Sequence, residues 1–239
     1  MAHQHPWFEK IIESVHVPIV VRGACMTVDP ALSVSPAEPP MDLAALVGSR
    51  ICHDLVSPLG AVANGLELLA MAEGATGPEL ALIEESVASA KARVRFFRIA
   101  FGQAGADARL SRAEIVAILD DLTRGGRVTV DWSAVGDVSR PEAKLGFLIV
   151  LCCESALAFG GRIVIGCEGG VWTARASHEK LRIEAPLWDW LGGTATGADS
   201  VADKITPAQA QFALARAQAG AQGCRISVQR TGQEIVIAW

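Results

Sequence analysis

His53 and Asp54 stand side by side in the segment Arg50-Ile51-Cys52-His53-Asp54-Leu55-Val56-Ser57-Pro58. An imidazole is a nucleophile that can carry a phosphoryl group on nitrogen. A neighbouring carboxylate can hold one tautomer or move a proton. Phosphoryl transfer mainly demands positioning and charge neutralisation, so one exposed imidazole beside a carboxylate suffices if a metal ion arrives with the partner. No cluster of ligands at metal spacing accompanies His53, so neither a metal site nor a cofactor site is expected on this chain. The six cysteines, at 25, 52, 152, 153, 167 and 224, form no Cys-x-x-Cys pair and no Cys/His cluster. They read as small buried hydrophobes in a reducing cytoplasm.

These residues need a helix to present them. Asp42 is a plausible N-cap, and from 43 to about 72 apolar residues recur at helical spacing. On a wheel of about 100° per residue, Ile51, Leu55, Pro58, Leu59, Val62, Leu66 and Leu69 fall in one arc of roughly 100°, the expected core stripe. His53 lies on the opposite side, near ~200°, in a row with Ser57, Gly60, Asn64 and Glu67. Pro58 removes the amide that would bond the Asp54 carbonyl. Gly60 costs about 1 kcal/mol against alanine inside a helix, which a close backbone approach would explain.

Glycines at 74 and 77 mark a turn, Pro78 suits a first helical position, and a second helix runs to about 101. The pair makes an antiparallel hairpin over 41–105. Its second helix carries the stripe Ile83, Val87, Ala90, Val94, Phe97 and Phe101, with Phe96 and Ile99 on its far side. A lone hairpin cannot bury both faces, so a second hairpin or the following domain must cover one. Residues 1–40, with the linker-like Ser-Val-Ser-Pro-Ala-Glu-Pro-Pro at 33–40, are expected to be a poorly ordered extension.

From 106 to 239 the pattern changes to α/β. Ser111-x-x-Glu114, Ser139-x-x-Glu142 and Thr206-x-x-Gln209 are capping-box signatures. They predict helices over about 112–124, 140–159 and 207–219. Strands are predicted at 127–132, 162–167, 171–177, 181–185, 225–230 and 234–239, with helices on one face of a mixed sheet. The fold class is therefore α+β: a helical hairpin followed by an α/β sandwich.

Composition narrows the function classes. A 51% hydrophobic fraction with 20% charged residues excludes a disordered chain. A net charge of −5 argues against a nucleic-acid partner. Aromatics are 5% with no tyrosine, so a stacking platform for single strands is not expected. No apolar run reaches the roughly 18 residues of a membrane span, and no basic n-region with an apolar core marks a signal peptide. Gly23-Ala24-Cys25 faintly suggests a lipoprotein site, but Arg22 stands where an apolar residue belongs. The expected location is the cytoplasm.

His53-Asp54-x-x-Ser57-Pro58 in the first helix of a hairpin resembles the phosphoacceptor box of sensor histidine kinases. The wider segment is similar to the ChpT-type histidine phosphotransferases: Arg50-x-Cys52-His53-Asp54-x-x-Ser57-Pro58, then Gly65-Leu66-Glu67-Leu68-Leu69, then Phe96-Phe97-Arg98-Ile99-Ala100-Phe101-Gly102. The resemblance covers about 41–239 and weakens toward the C-terminus. It implies a homodimer whose two hairpins form a four-helix bundle, followed by a domain resembling the ATP-binding domain of a kinase. That domain reads as degenerate. Glu154 stands where the Mg²⁺-ATP asparagine belongs, no Asp-x-Gly-x-Gly follows 181–185, and the glycines at 192, 193 and 197 form no phosphate cradle.

The expectation is a phosphotransferase, with no autokinase activity, that moves phosphoryl groups between receiver-domain aspartates through His53 and Asp54. The donor would be the receiver of a hybrid histidine kinase, the acceptors the receivers of response regulators, and Mg²⁺ would sit on the receiver. A dimeric receiver-binding module without chemistry is the alternative. A phosphatase helper, with Ser57 or Asp54 orienting water, is a third reading. His53 is level with about residue 97 across the hairpin. Arg95 and Arg98, with Arg50 one turn before His53, are thus candidate phosphate neighbours. Val56, Ser57, Gly60, Ala63, Asn64 and Glu67 make the expected docking row for the receiver.

Overall fold

The computed structural model describes residues 43–71, 77–102, 108–194 and 201–239. The expected extension 1–40, the N-cap at Asp42, the turn at Gly74 and the glycine at 197 lie outside those residues.

Helix α1, Leu43–Met71, runs without interruption through Pro58, and α2, Gly77–Ala100, packs along it. Pro58 is buried, and Ile51, Leu55, Val62 and Leu69 are half-buried, as the stripe requires. Leu59 and Leu66, placed in the same stripe, stay 59% and 55% exposed. One hairpin has only one partner helix to offer, so it covers only part of the arc. Along the α1/α2 seam an open apolar groove remains, lined by Val47, Ile51, Leu55, Val94, Phe97 and Phe101, with Arg98 at its edge.

The α/β part of the fold begins with β1, Arg109–Leu110, which pairs antiparallel with β3, Val138–Ser139. Ser111 caps α3, Arg112–Thr123, by accepting the Glu114 amide. Ser139 opens α4, Arg140–Ala156, with the full reciprocal box on Glu142. The five-stranded sheet combines β2 (Val128–Trp132), β4 (Gly161–Glu168), β5 (Val171–Ser177), β6 (Ser227–Arg230) and β7 (Glu234–Ala238). Its order is β2-β4-β5-β7-β6, with β2 parallel to β4 and every other pair antiparallel. Alternate residues are buried: Val130 and Trp132, Ile163 and Ile165, Ala174 and Ala176, Ile235 and Ile237. The opposite face carries the ion pairs Arg162–Asp131 and Arg175–Glu234. One apolar and one charged face is the signature of a sheet covered by helices on one side.

Residues 181–185 do not form the predicted strand. Leu181 and Ile183 alternate inward as a strand would, but their backbone pairs with no neighbouring strand. The Arg182 amide is tied to the Ala156 carbonyl, and the Glu184 carbonyl accepts from the Leu187 and Trp188 amides. Pro186 then opens α5, Ala185–Leu191, whose Leu187, Trp188, Trp190 and Leu191 are buried. The third predicted helix divides into a 3₁₀ turn, Pro207–Gln209, and α6, Ala210–Ala221.

The far side of α2 is covered by the α/β domain. Phe96 stacks on Phe147 of α4 at 4.8 Å between ring centroids, and Phe147 meets Trp132 edge-on. Arg140 donates to the Arg98 carbonyl and Lys144 to the Gly102 carbonyl, so two cations close the C-terminal end of α2. Phe147→Ala would open a cavity in this joint and is expected to cost about 3–5 kcal/mol. Urea unfolding followed by circular dichroism reads this directly; a loss below 1 kcal/mol would show that the joint is not the centre of the core.

Candidate functional site

The site grows from helix periodicity. His53 projects from a face of α1 that no other element among the described residues covers, with its side chain 84% exposed. Asp54, one residue on, turns into the groove between α1 and the α/β domain and is 11% exposed. Its two carboxylate oxygens are divided. Oδ1 lies 3.1 Å from His53 Nδ1, and Oδ2 accepts from Arg50 Nε at 2.7 Å. A carboxylate can only accept, so a neutral ring paired in this way carries its hydrogen on Nδ1 and leaves the Nε2 lone pair unengaged. Arg50 stands one turn before Asp54 and reaches further, donating Nη1 to the Ala208 carbonyl at 2.6 Å. The result is an exposed imidazole backed by a largely buried carboxylate and a guanidinium.

Ser57, Gly60, Asn64 and Glu67 continue the row below His53, and Val56 and Ala63 flank it; all are exposed. A Cβ built on Gly60 meets nothing within 4 Å. The close backbone approach expected there is not made among the described residues.

The three arginines named from the sequence part company. Arg50 belongs to the histidine's support. Arg95 pairs with Asp121 of α3 at 2.9 Å. Arg98 borders the apolar seam beside Ile51 and Leu55, on the side of α1 that the wheel sets away from His53.

Two charged residues that the sequence reading did not assign to the site also converge here. Glu154, near the end of α4, is half-buried, and burial pushes its carboxyl up to about 7. Arg93 and Arg50 pull it down, and the charge of Asp54 pushes it up. Arg93 stands three and four residues before the buried Phe96 and Phe97, so helical spacing places it on their inward face; that spacing was the available signal. Glu154 could not be found this way, since its neighbours come from α1 and α2. No group of three or more histidine, cysteine or acidic side chains gathers as a metal site among the described residues. No helix among them is long and apolar enough to cross a membrane.

The raised Glu154 value makes stability depend on pH. The ordinary value is 4.5 and the folded value about 7, so between them the native state holds a proton that the unfolded chain has released. Stability therefore falls as pH rises through this window and stays reduced above it. Glu154→Gln is expected to leave stability unchanged near pH 4.5 and to raise it at pH 8, by roughly 1–3 kcal/mol. Thermal melts at the two pH values check this; an equal shift at both would remove Glu154 as the titrating group.

Comparison with known proteins gives the family of the chain. Residues 112–234 match the family described as the histidine phosphotransferase C-terminal domain. The chain is 32% identical over 205 residues to the protein phosphotransferase ChpT of Brucella abortus (strain 2308), covering 83% of this chain and 95% of that protein. It also superposes on the 1.7 Å structure of a bacterial phosphotransferase with a TM-score of 0.69 and 30% identity, covering 82% of this chain and 95% of the other. On that family match and that degree of identity, the chain belongs to the ChpT-type histidine phosphotransferases and is a phosphotransferase.

Proposed function

We propose that the protein is a phosphorelay intermediate that takes a phosphoryl group from an aspartate of one receiver domain and gives it to an aspartate of another. The observation that carries the reading is the His53–Asp54 pair: Nδ1 is engaged and Nε2 is free. In the forward step the Nε2 lone pair attacks phosphorus in line while the bond to the aspartyl oxygen breaks and the receiver's carboxylate departs. The ring becomes a phosphoimidazolium that keeps its proton on Nδ1, and the Asp54 carboxylate stabilises its positive charge. Transfer onward is the same step reversed on a second receiver. Mg²⁺ belongs to the receiver, where it neutralises the oxygens in flight.

The docking surface is the open row Ser57, Gly60, Asn64 and Glu67 with Val56 and Ala63. Its exposure and the space at Gly60 suit a helix of the receiver laid alongside. Dimerisation through the α1/α2 seam is supported by the apolar groove and by Leu59, Leu66 and Val94, which remain more than half exposed on a single chain. The free thiols suit the cytoplasm.

ATP has no part in the step. Glu154 replaces an amide with a carboxyl where the kinase asparagine is expected. The segment after 181–184, where the Asp-x-Gly-x-Gly box belongs, is α5, and its buried Trp188 packs edge-on against Phe212 at 5.1 Å. Such residues do not fit an adenine nucleotide.

The histidine's exposure makes its test clean. His53→Gln is expected to abolish acceptance of label from a phosphorylated receiver while changing stability by less than about 0.5 kcal/mol. Wild-type protein should retain acid-labile, base-stable label. A folded His53→Gln protein that still accepts label would overturn the reading, and failure of wild type to accept any label would favour a binding module.

A further inference from the structure

The support of His53 crosses from one domain to the other, and it does so through one side chain. Asp54 alone is a weak holder of its neighbour. It has several staggered rotamers, and His53 is so exposed that water competes for Nδ1. What restricts Asp54 is Arg50, whose Nε takes Oδ2 while Nη1 is tied to the Ala208 carbonyl. That carbonyl belongs to the 3₁₀ turn Pro207–Gln209, which is itself fastened. The Thr206 amide donates to Gln209 Oε1 at 3.1 Å, and Gln209 Nε2 donates to Glu184 Oε2 at 2.7 Å. A guanidinium suits this task because its donors are fixed in one plane. Holding two acceptors on different elements fixes both in direction as well as in charge.

We propose that Arg50 is a positioning residue: by bridging Asp54 to the Ala208 carbonyl it lets the α/β domain set the His53 tautomer and keep Nε2 free. The proposal rests on the reading of His53 as the phosphoacceptor and gives Arg50 a duty other than touching the phosphate. It also gives the α/β domain a direct part in the transfer. Its fold presents one carbonyl at the correct place behind the histidine.

The test is made on the full chain with Arg50→Gln and Arg50→Lys. Long-range ¹H–¹⁵N correlation of the His53 ring reports which nitrogen carries the hydrogen, whether or not any transfer occurs. Wild type is expected to show Nδ1–H. Arg50→Gln is expected to show a mixture with Nε2–H, and Arg50→Lys, which keeps charge but cannot fork, a smaller change in the same sense. Transfer from a phosphorylated receiver is expected to lose at least about tenfold in kcat in Arg50→Gln, with KM unchanged. An unchanged tautomer in Arg50→Lys and in folded Arg50→Gln would overturn the proposal, as would a rise in KM at constant kcat, which would place Arg50 on the receiver instead. If Arg50→Gln fails to fold, the tautomer of Arg50→Lys alone decides. A shifted tautomer in a protein whose wild type accepts no phosphoryl group would leave the positioning role standing and sink the phosphorelay reading.

Discussion

The packing of the end of α2 on α4 is the constraint on which the rest depends. Phe96 is fully buried against Phe147, Ile99 and Ala100 lie beside it, and Arg140 and Lys144 hold the carbonyls of Arg98 in the last turn and of Gly102 just past it. Aromatic stacking and removal of these side chains from water drive the joint, and the hydrogen bonds give it direction. Because α2 carries α1 with it, this joint decides where Arg50 meets the α/β domain. A hairpin swung by one helical turn would take Arg50 about 5 Å from the Ala208 carbonyl.

From that joint outward, polarity is arranged by depth. The reactive imidazole is in water, where a large partner can reach it. The carboxylate behind it is nearly buried, where its bonds are stronger than they would be in solvent. The guanidinium behind that faces both domains. Glu154 and Arg93 complete a charge cluster at the meeting of α1, α2 and α4, with burial the largest influence on Glu154. On the proposed function, the same depth ordering would let a phosphoimidazolium form beside a carboxylate that is already in place.

Much of this was legible in the sequence, and the parts that were not share a cause. The placement of His53 and Asp54, the hairpin and the exposed row below His53 follow from helical periodicity, which reports one helix at a time. The box at Ser139 and Glu142 is a local hydrogen-bond pattern and was equally readable. Residues 181–185 misled because inward alternation of Leu181 and Ile183 is needed by any half-buried extended segment, paired or not. Leu59 and Leu66 were placed in the core because a wheel shows which residues are apolar, not whether a partner arrives to cover them. Glu154 beside Arg50, and the Ala208 carbonyl that Arg50 grips, are tertiary meetings. Backbone carbonyls have no residue type, so no pattern of residues could have named that one.

The central claim is that Asp54 holds Nδ1 so that Nε2 of His53 accepts the phosphoryl group. The most direct measurement is to incubate ¹⁵N-histidine-labelled protein with a phosphorylated receiver and to identify the phosphorylated ring nitrogen from ³¹P–¹⁵N correlation. The account predicts phosphorus bonded to Nε2 of His53, with hydrogen on Nδ1. Phosphorus on Nδ1, or recovery of the group only as inorganic phosphate, would contradict it.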